Sequence, residues 1–333
     1  MTPPRRVDVH ELEAGVLAGD RSALGRAITL IESSLARDQA LARELGERIL
    51  PHTGAGIRVG ITGVPGVGKS TFIETLGRQL TARGTKVAVL AVDPSSTRSG
   101  GSILGDKTRM QELARDPLAF VRPSPSRGSL GGVARRTREA ILLCEAAGYE
   151  VVLVETVGVG QSETMVAGMV DCFLVLMLAG AGDELQGIKR GILELADLVA
   201  INKADGDNVE RARRARVEYA RALHLMPRKS VHWDVPVLTC SGVSGEGVDV
   251  LWAEIERFQA ALSASGEWEA NRAQQRVQAM WRAIEWGVLE VFGEHEQVRG
   301  RMRTVELDVR EGRLAPDHAA AELLAVFRGP AQD

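Results

Sequence analysis

A doubly wound, mostly parallel α/β fold with helices added at both ends is the class this sequence predicts, and three observations predict it. Seven short apolar runs, Ile57–Thr62, Val87–Val92, Phe120–Val121, Val151–Val154, Phe173–Leu178, Leu198–Ile201 and Val235–Leu238, alternate with helical stretches. Strands that are apolar throughout belong in a parallel sheet covered on both faces. Outside that region, apolar positions recur at helical rather than strand spacing. Thirty-six glycines against 4% aromatic residues indicate many tight backbone sites, which suits an α/β protein with phosphate-handling loops.

From the N-terminus, Leu12 and Val16, then Leu24, Ile28 and Ile31, then Leu41, Leu45 and Ile49 fall at helical spacing, with Asp20 as a cap before Arg21-Ser22. Two or three helices are expected over 8–50, ending where Pro51-His52-Thr53-Gly54 breaks the pattern. The sheet and its helices follow over about 57–262. Beyond Ser263-Ala264-Ser265-Gly266, Val277, Trp281, Ile284, Val288 and Val291 are spaced 4-3-4-3, close to a heptad seam, so a helical arm is expected. The expected organisation is a helical extension over 1–54, a nucleotide-binding domain over 55–264 and a C-terminal helical arm over 265–333.

Charge narrows the function classes. With 41 Lys and Arg against 44 Asp and Glu, the net charge of −3 supplies no global basic field for nucleic acid or acidic lipid. The longest apolar run, Cys172 to Ala181, has ten residues, about half of what a bilayer requires. Cys144, Cys172 and Cys240 are isolated, which suggests neither a disulfide framework nor a cysteine zinc site. The N-terminal residues lack the apolar core of a signal peptide. A cytoplasmic protein is expected, with neither nucleic acid nor membrane as partner.

Gly63-Val64-Pro65-Gly66-Val67-Gly68-Lys69-Ser70 fits G-x-x-x-x-G-K-[ST] and stands between a strand and an expected helix over Thr71–Arg83. In such a P-loop, glycines let backbone N–H groups turn inward around phosphates, Lys69 bridges the β and γ oxygens, and Ser70 gives its hydroxyl oxygen to Mg²⁺. The fold class thereby sharpens to a P-loop NTPase. Strand Val151–Val154 runs into Glu155-Thr156-Val157-Gly158, where a carboxylate behind the magnesium and a γ-phosphate-sensing amide at Gly158 are expected. Asn202-Lys203-Ala204-Asp205 closes another strand. An Asp there accepts from the guanine N1–H and exocyclic amine, a pair that adenine does not offer, while the Lys203 stem lies along the ring. About 35 residues later Thr239-Cys240-Ser241-Gly242 ends a further strand, the place of a second base-contacting loop. The polar, glycine-rich stretches Asp93–Arg109 and Gly180–Gly191 follow strands and are candidate switches.

Together these motifs resemble the MeaB/ArgK family of metalloenzyme-chaperone GTPases. The resemblance covers GDRSALGRAITLIE, GVPGVGKST, DPSSTRSGGSILGDKTRM, ETVGVGQSE, GAGDELQGIKRG, NKAD and the helical C-terminal arm. It implies a GTP-hydrolysing chaperone that binds an adenosylcobalamin-dependent methylmalonyl-CoA mutase, protects it and gates cobalamin delivery. It implies GTP or GDP held by residues Gly63 to Thr71 with Gly158, Asn202, Lys203, Asp205, Ser241 and Gly242, and Mg²⁺ held by Ser70, Asp93, Asp106 and Glu155. The Gly180–Gly191 loop would answer to the mutase, and the family's C-terminal dimerisation falls on the 277–291 seam of a homodimer. Small GTPases carry a water-orienting Gln directly after the switch-two glycine, but Val159 follows Gly158 here. Slow intrinsic hydrolysis is therefore expected, with Lys69 at the phosphates and Gln161, Lys189, an arginine or the partner completing the catalytic site.

Other readings are a nickel-type metallochaperone GTPase and a kinase or ATPase coupled to amino-acid transport. The first lacks a metal tract, since His10, His52, His224, His232, His295 and His318 are scattered; the second is opposed by the guanine motif. Arg211, Arg213, Arg214, Arg216 and Arg221 read as a solvated helix face, and Arg122 with its neighbouring arginines as a solubilising surface.

Overall fold

The structure, a computed structural model, describes residues 7–92, 110–123, 130–156, 161–180 and 189–329. The chain divides into two compact units, residues 1–275 and 276–333.

In the first unit the chain opens with α1 (Val9–Leu17), α2 (Arg21–Glu32) and α3 (Ala36–Ile49). Asp8 Oδ1 accepts from the amides of His10 and Glu11, and Asp20 Oδ1 from those of Ser22 and Ala23. Each cap satisfies first-turn donors that have no intrahelical partner. Val16, Leu24, Ile28 and Leu45 are fully buried and share one core with Ile141 of α6 (Leu130–Ala146) and with the sheet residues Val152 and Val154.

Seven strands form a single sheet: β1 (Ile57–Gly63), β2 (Val87–Val92), β3 (Ala119–Pro123), β4 (Val151–Thr156), β5 (Cys172–Leu178), β6 (Leu198–Asn202) and β7 (Val237–Thr239). Their order is β3-β2-β4-β1-β5-β6-β7, and every pairing is parallel. Alternate residues serve opposite cores. Val152, Val154, Phe173 and Val175 face the N-terminal helices, whereas Val59, Ile61, Leu153 and Leu174 pack with Phe72 and Ile73 of α4 (Lys69–Thr81) and Leu251 and Ile255 of α10 (Val248–Ser265). A period of two with both faces covered explains why the strands read as unbroken apolar runs. The remaining helices of this unit are α5 (Gln111–Arg115), α7 (Gln161–Ala167), α8 (Lys189–Leu193) and α9 (Val209–His224). The chain after β1 passes to strands on one side of it, and from β5 onward to the other side, so the switch point where ligands bind lies at the carboxyl end of β1.

At the opposite end of the sheet, the first turns of α11 (Glu267–Glu294) belong to this unit. Trp268 is buried edge-on against Phe258, with ring centroids 6.3 Å apart, and the Arg272 guanidinium lies 5.1 Å from the Trp268 ring centre. Arg122 is not merely solubilising, because it donates to Glu32 at 2.7 Å and to Thr29 Oγ1 at 3.2 Å, tying β3 to α2.

The second unit contains the rest of α11 with α12 (Glu296–Arg310) and α13 (Pro316–Arg328). Val298, Val305, Ala319 and Leu323 form its core, with Phe292 and Phe327 edge to face at 5.4 Å. Val277, Trp281, Ile284, Val288 and Val291 are 45–59% exposed. Among the described residues no helix is long and apolar enough to cross a membrane. Cys144, Cys172 and Cys240 are free and buried; burial raises all three thiols, that of Cys240 to about 12.

Candidate functional site

Gly63 closes β1 with φ +150°, and a Cβ there would lie 2.4 Å from the Leu176 carbonyl oxygen of β5. Only glycine lets the strand pass at that distance. The chain then turns through left-handed glycines, and Gly68, at φ 95° and ψ 30°, forms the N-cap of α4. The helix therefore begins at Lys69, two residues before the expected Thr71. Lys69, Ser70 and Thr71 stand in its first turn, where the helix dipole and outward amides favour an anion. The Lys69 side chain folds back over the loop, its Nζ donating to the carbonyls of Gly63 at 2.7 Å and Val64 at 3.4 Å.

Ser70 Oγ donates to Glu155 Oε1 at 3.0 Å, which joins the start of α4 to the end of β4. One residue on, Thr156 Oγ1 donates to Thr62 Oγ1 at 2.8 Å in a fully buried bond between β4 and β1. The β2–β4 register sets Ala91 beside Glu155 and Val92 beside Thr156, so the chain leaves β2 next to this oxygen pair. Two oxygens, one a carboxylate, are the donor chemistry that suits Mg²⁺. Among the described residues no group of three or more His, Cys, Asp and Glu side chains gathers as a metal site.

The base-side loops meet at Asn202. Its Nδ2 donates to Val67 O at 2.8 Å, and its Oδ1 accepts from Gly242 N at 3.0 Å, with the side chain almost entirely buried. One amide thus fastens the P-loop, the 202–205 turn and the 239–242 turn together. Lys203 is exposed in the left-handed region at φ 59°, its carbonyl accepting from Asn208 Nδ2 at 2.7 Å. Asp205 Oδ2 accepts from Ser241 Oγ, and Ser241 Oγ accepts in turn from the amides of Val243 at 3.2 Å and Ser244 at 3.0 Å. Gly242 lies against α4, where a Cβ would be 3.0 Å from Phe72 N, and its carbonyl accepts from Thr75 Oγ1 at 2.6 Å.

The structure thus brings together Gly63 to Thr71, Glu155, Asn202, Asp205, Ser241 and Gly242 at the carboxyl ends of β1, β4 and β6 and just beyond β7. Asp93, Asp106 and Gly158 lie outside the described residues, as do the side chains of Gln161 and Lys189, whose backbones begin α7 and α8. Two contributors carry no sequence signal. Thr75 holds Gly242, and Glu74 Oε1 accepts from the amides of Glu112 at 3.1 Å and Leu113 at 3.0 Å, capping α5 where the first candidate switch ends.

A glycine cradle on β1, a lysine folded over it, a serine–glutamate oxygen pair and a clipped N-K-x-D turn define the class: this is a P-loop GTPase. The family model described as methylmalonyl-CoA mutase-associated GTPase MeaB matches residues 24–297, and the chain belongs to that family. The chain is 52% identical over 298 residues to the GTPase ArgK of Escherichia coli, covering 90% of each chain. It is 49% identical over 333 residues to the mouse protein named methylmalonic aciduria type A homolog, mitochondrial, covering 96% of this chain and 80% of that one. Among solved structures it is similar to the crystal structure of an LAO/AO transport system kinase, with 42% identity, a TM-score of 0.77 and coverage of 97% and 100%.

Proposed function

We propose that this GTPase is a chaperone of an adenosylcobalamin-dependent methylmalonyl-CoA mutase, which it binds and protects while gating delivery of the cobalamin cofactor. The family match over residues 24–297 carries this reading. In it, the P-loop amides and Lys69 take the β and γ phosphates, Asp205 reads the guanine edge in an orientation held by Ser241, and Lys203 and Gly242 border the base. Asn202 acts through its clip, as a positioning residue.

The Ser70–Glu155 oxygen pair fits Mg²⁺, with Asp93 and Asp106 as the other proposed ligands. When bound, the ion neutralises phosphate charge and aligns the phosphates for hydrolysis. Gly158 senses the γ-phosphate, and Gln161 or Lys189 completes the water-orienting site, or the partner does, so basal turnover is slow. The proposed assembly is a homodimer through the 277–291 stripe, whose exposure costs roughly 25 cal/mol per Å² of apolar surface in water. The proposed compartment is the cytoplasm, which suits three free thiols.

The decisive experiment measures GTP turnover and pull-down with the purified mutase, in GDP and in a nonhydrolysable GTP analogue. Nucleotide-dependent association with stimulated hydrolysis is expected. A chain that neither binds the mutase nor responds to it loses the chaperone reading while keeping its GTPase activity. Equilibrium binding of GDP against ADP separates this reading from a transport-coupled kinase.

A further inference from the structure

The sheet ends at β7, whose only strand neighbour among the described residues is β6. Val199 N donates to Pro236 O at 3.0 Å and Cys240 N to Ile201 O at 2.9 Å. In a parallel ladder of that phase, the intervening Val237 turns its N–H and C=O, and Thr239 its N–H, away from β6, while Gly247 packs against the Thr239 carbonyl, where a Cβ on Gly247 would lie 2.5 Å from the oxygen. Such an edge is a template for another strand unless it is covered. Beside it lies a cleft of about 520 Å³, bordered by α9 and the start of α10, with Leu238 and Thr239 of β7 in its lining. Val217 and Val250, 41% and 50% exposed, supply apolar surface, and Arg213 and Arg216 supply charge. A second hollow of about 550 Å³ shares Arg216 and Val217 and adds Arg221 and the 86% exposed Leu225. Among the described residues, Glu246 is the one carboxylate lining the two. Arg213 pairs with Glu210 at 2.6 Å, but both side chains are about two-thirds exposed, and such a pair is worth little.

We propose that this cleft docks an extended, acidic segment of a partner protein. The segment adds a strand to β7 through its backbone, rests apolar side chains on Val217 and Val250, and sets carboxylates against Arg213 and Arg216. A second copy of the chain fits poorly, because pairing β7 with β7 about a two-fold axis brings the same arginines face to face. The chain's net charge of −3 opposes nucleic acid. The cleft also shares backbone with the base-side loops: Cys240 lines it and precedes Ser241, and Ala204, another lining residue, donates its amide to Cys240 O at 2.9 Å. Docking should therefore shift guanine-nucleotide affinity. That consequence rests on the nucleotide reading above; the docking itself does not.

The test uses the full chain and a fluorescein-labelled octapeptide alternating Glu with Val, read by anisotropy, beside the same peptide N-methylated at alternate amides. Saturable binding is expected, weakened at least tenfold by Arg213→Glu with Arg216→Glu, by Val250→Glu and by N-methylation, while GDP affinity of each variant stays at the parent value. Absence of saturable binding by the parent, equal binding by the arginine variant, or equal binding of the N-methylated peptide each overturns the proposal. So does self-association, or binding of an RNA octamer, that these substitutions abolish while the peptide is ignored. If the parent binds peptide but not GDP, the nucleotide reading fails and the docking site stands.

Discussion

Arg272 donates from Nε to Asp171 Oδ1 at 2.7 Å and from Nη2 to Asp171 Oδ2 at 2.6 Å, joining α11 to the turn before β5 with both side chains at most 5% exposed. The same guanidinium donates to the carbonyls of Gly54 at 2.5 Å and Gly56 at 2.6 Å. Asp171 Oδ2 also accepts from Arg58 N at 2.8 Å, and the Arg58 guanidinium forks onto Glu145 at 2.8 Å to each oxygen. Burial works against the charge on Arg272, but the hydrogen bonds and charge of Asp171, together with the charges of Glu145 and Glu269, outweigh it and raise the guanidinium further. Arg272→Ala strands a buried carboxylate and should cost about 3–5 kcal/mol in urea unfolding, with Arg272→Lys between it and the parent. A loss below about 1 kcal/mol for the alanine variant would make the fork dispensable.

The Asn202 clip predicts a coupled defect. Asn202→Ala leaves Val67 O and Gly242 N buried without their partner, so stability should fall by about 1–3 kcal/mol and GDP affinity should fall with it. Thermal unfolding without nucleotide and GDP titration calorimetry measure the two parts. Lower stability with unchanged GDP affinity would show that the loops keep their geometry unaided.

Nucleotide chemistry is tested at two residues. Lys69→Ala should abolish hydrolysis and severely weaken GTP binding, since the β and γ phosphates lose a positive charge. Asp205→Asn should move preference from guanosine to xanthosine nucleotides, because the amide donates to the 2-oxo group where the carboxylate only accepts. Competition of GDP and XDP for the variant reads the switch directly.

Asp197 gives stability a pH dependence. Burial raises its carboxyl above 3.8, although Lys229 at 2.6 Å and the Phe173 amide at 2.9 Å both pull it down. A carboxyl raised in the folded state binds its proton more tightly there than in the unfolded chain. Its contribution is therefore fully present below 3.8 and is lost as pH rises through the raised value. Asp197→Asn keeps an acceptor for Phe173 and does not titrate, so parent stability should fall relative to the variant as pH rises above 3.8. Parallel urea curves across that range would refute the assignment.

The strands were legible because burial on both faces writes itself into consecutive residues, as in Val151–Val154 and Phe173–Leu178. The P-loop and the N-K-x-D turn were legible because their chemistry is contiguous. What stayed hidden is contact across sequence. Asn202 reaches Val67 over 135 residues, Glu74 caps α5 from 38 and 39 residues away, and Arg272 finds Asp171 over 101. The start of α4 at Lys69 depended on the left-handed turn at Gly68, which a glycine permits without declaring.

Assembly of the 277–291 stripe is tested in the full chain. Trp281→Glu with Val288→Glu places charge on two residues that are more than half exposed, and should give a monomer by light scattering with unchanged GDP affinity. Truncation after Gly266 is the poorer experiment, because it also deletes Arg272 and leaves Asp171 uncompensated.

The Arg272 fork also has a consequence for biosynthesis. Its guanidinium lies 216 residues downstream of the Gly56 carbonyl that it holds, so at roughly 5–20 residues per second β1 leaves the ribosome on the order of 10–40 s before that partner is made. Over the last 101 residues of that interval, roughly 5–20 s, a nascent chain carries Asp171 without its counter-charge. A helix made after all seven strands fastens the base of the first-made one, which makes synthesis through α11 a checkpoint on folding of the nucleotide-binding half: a message truncated short of codon 272 yields a chain that chaperones and proteases meet as unfinished.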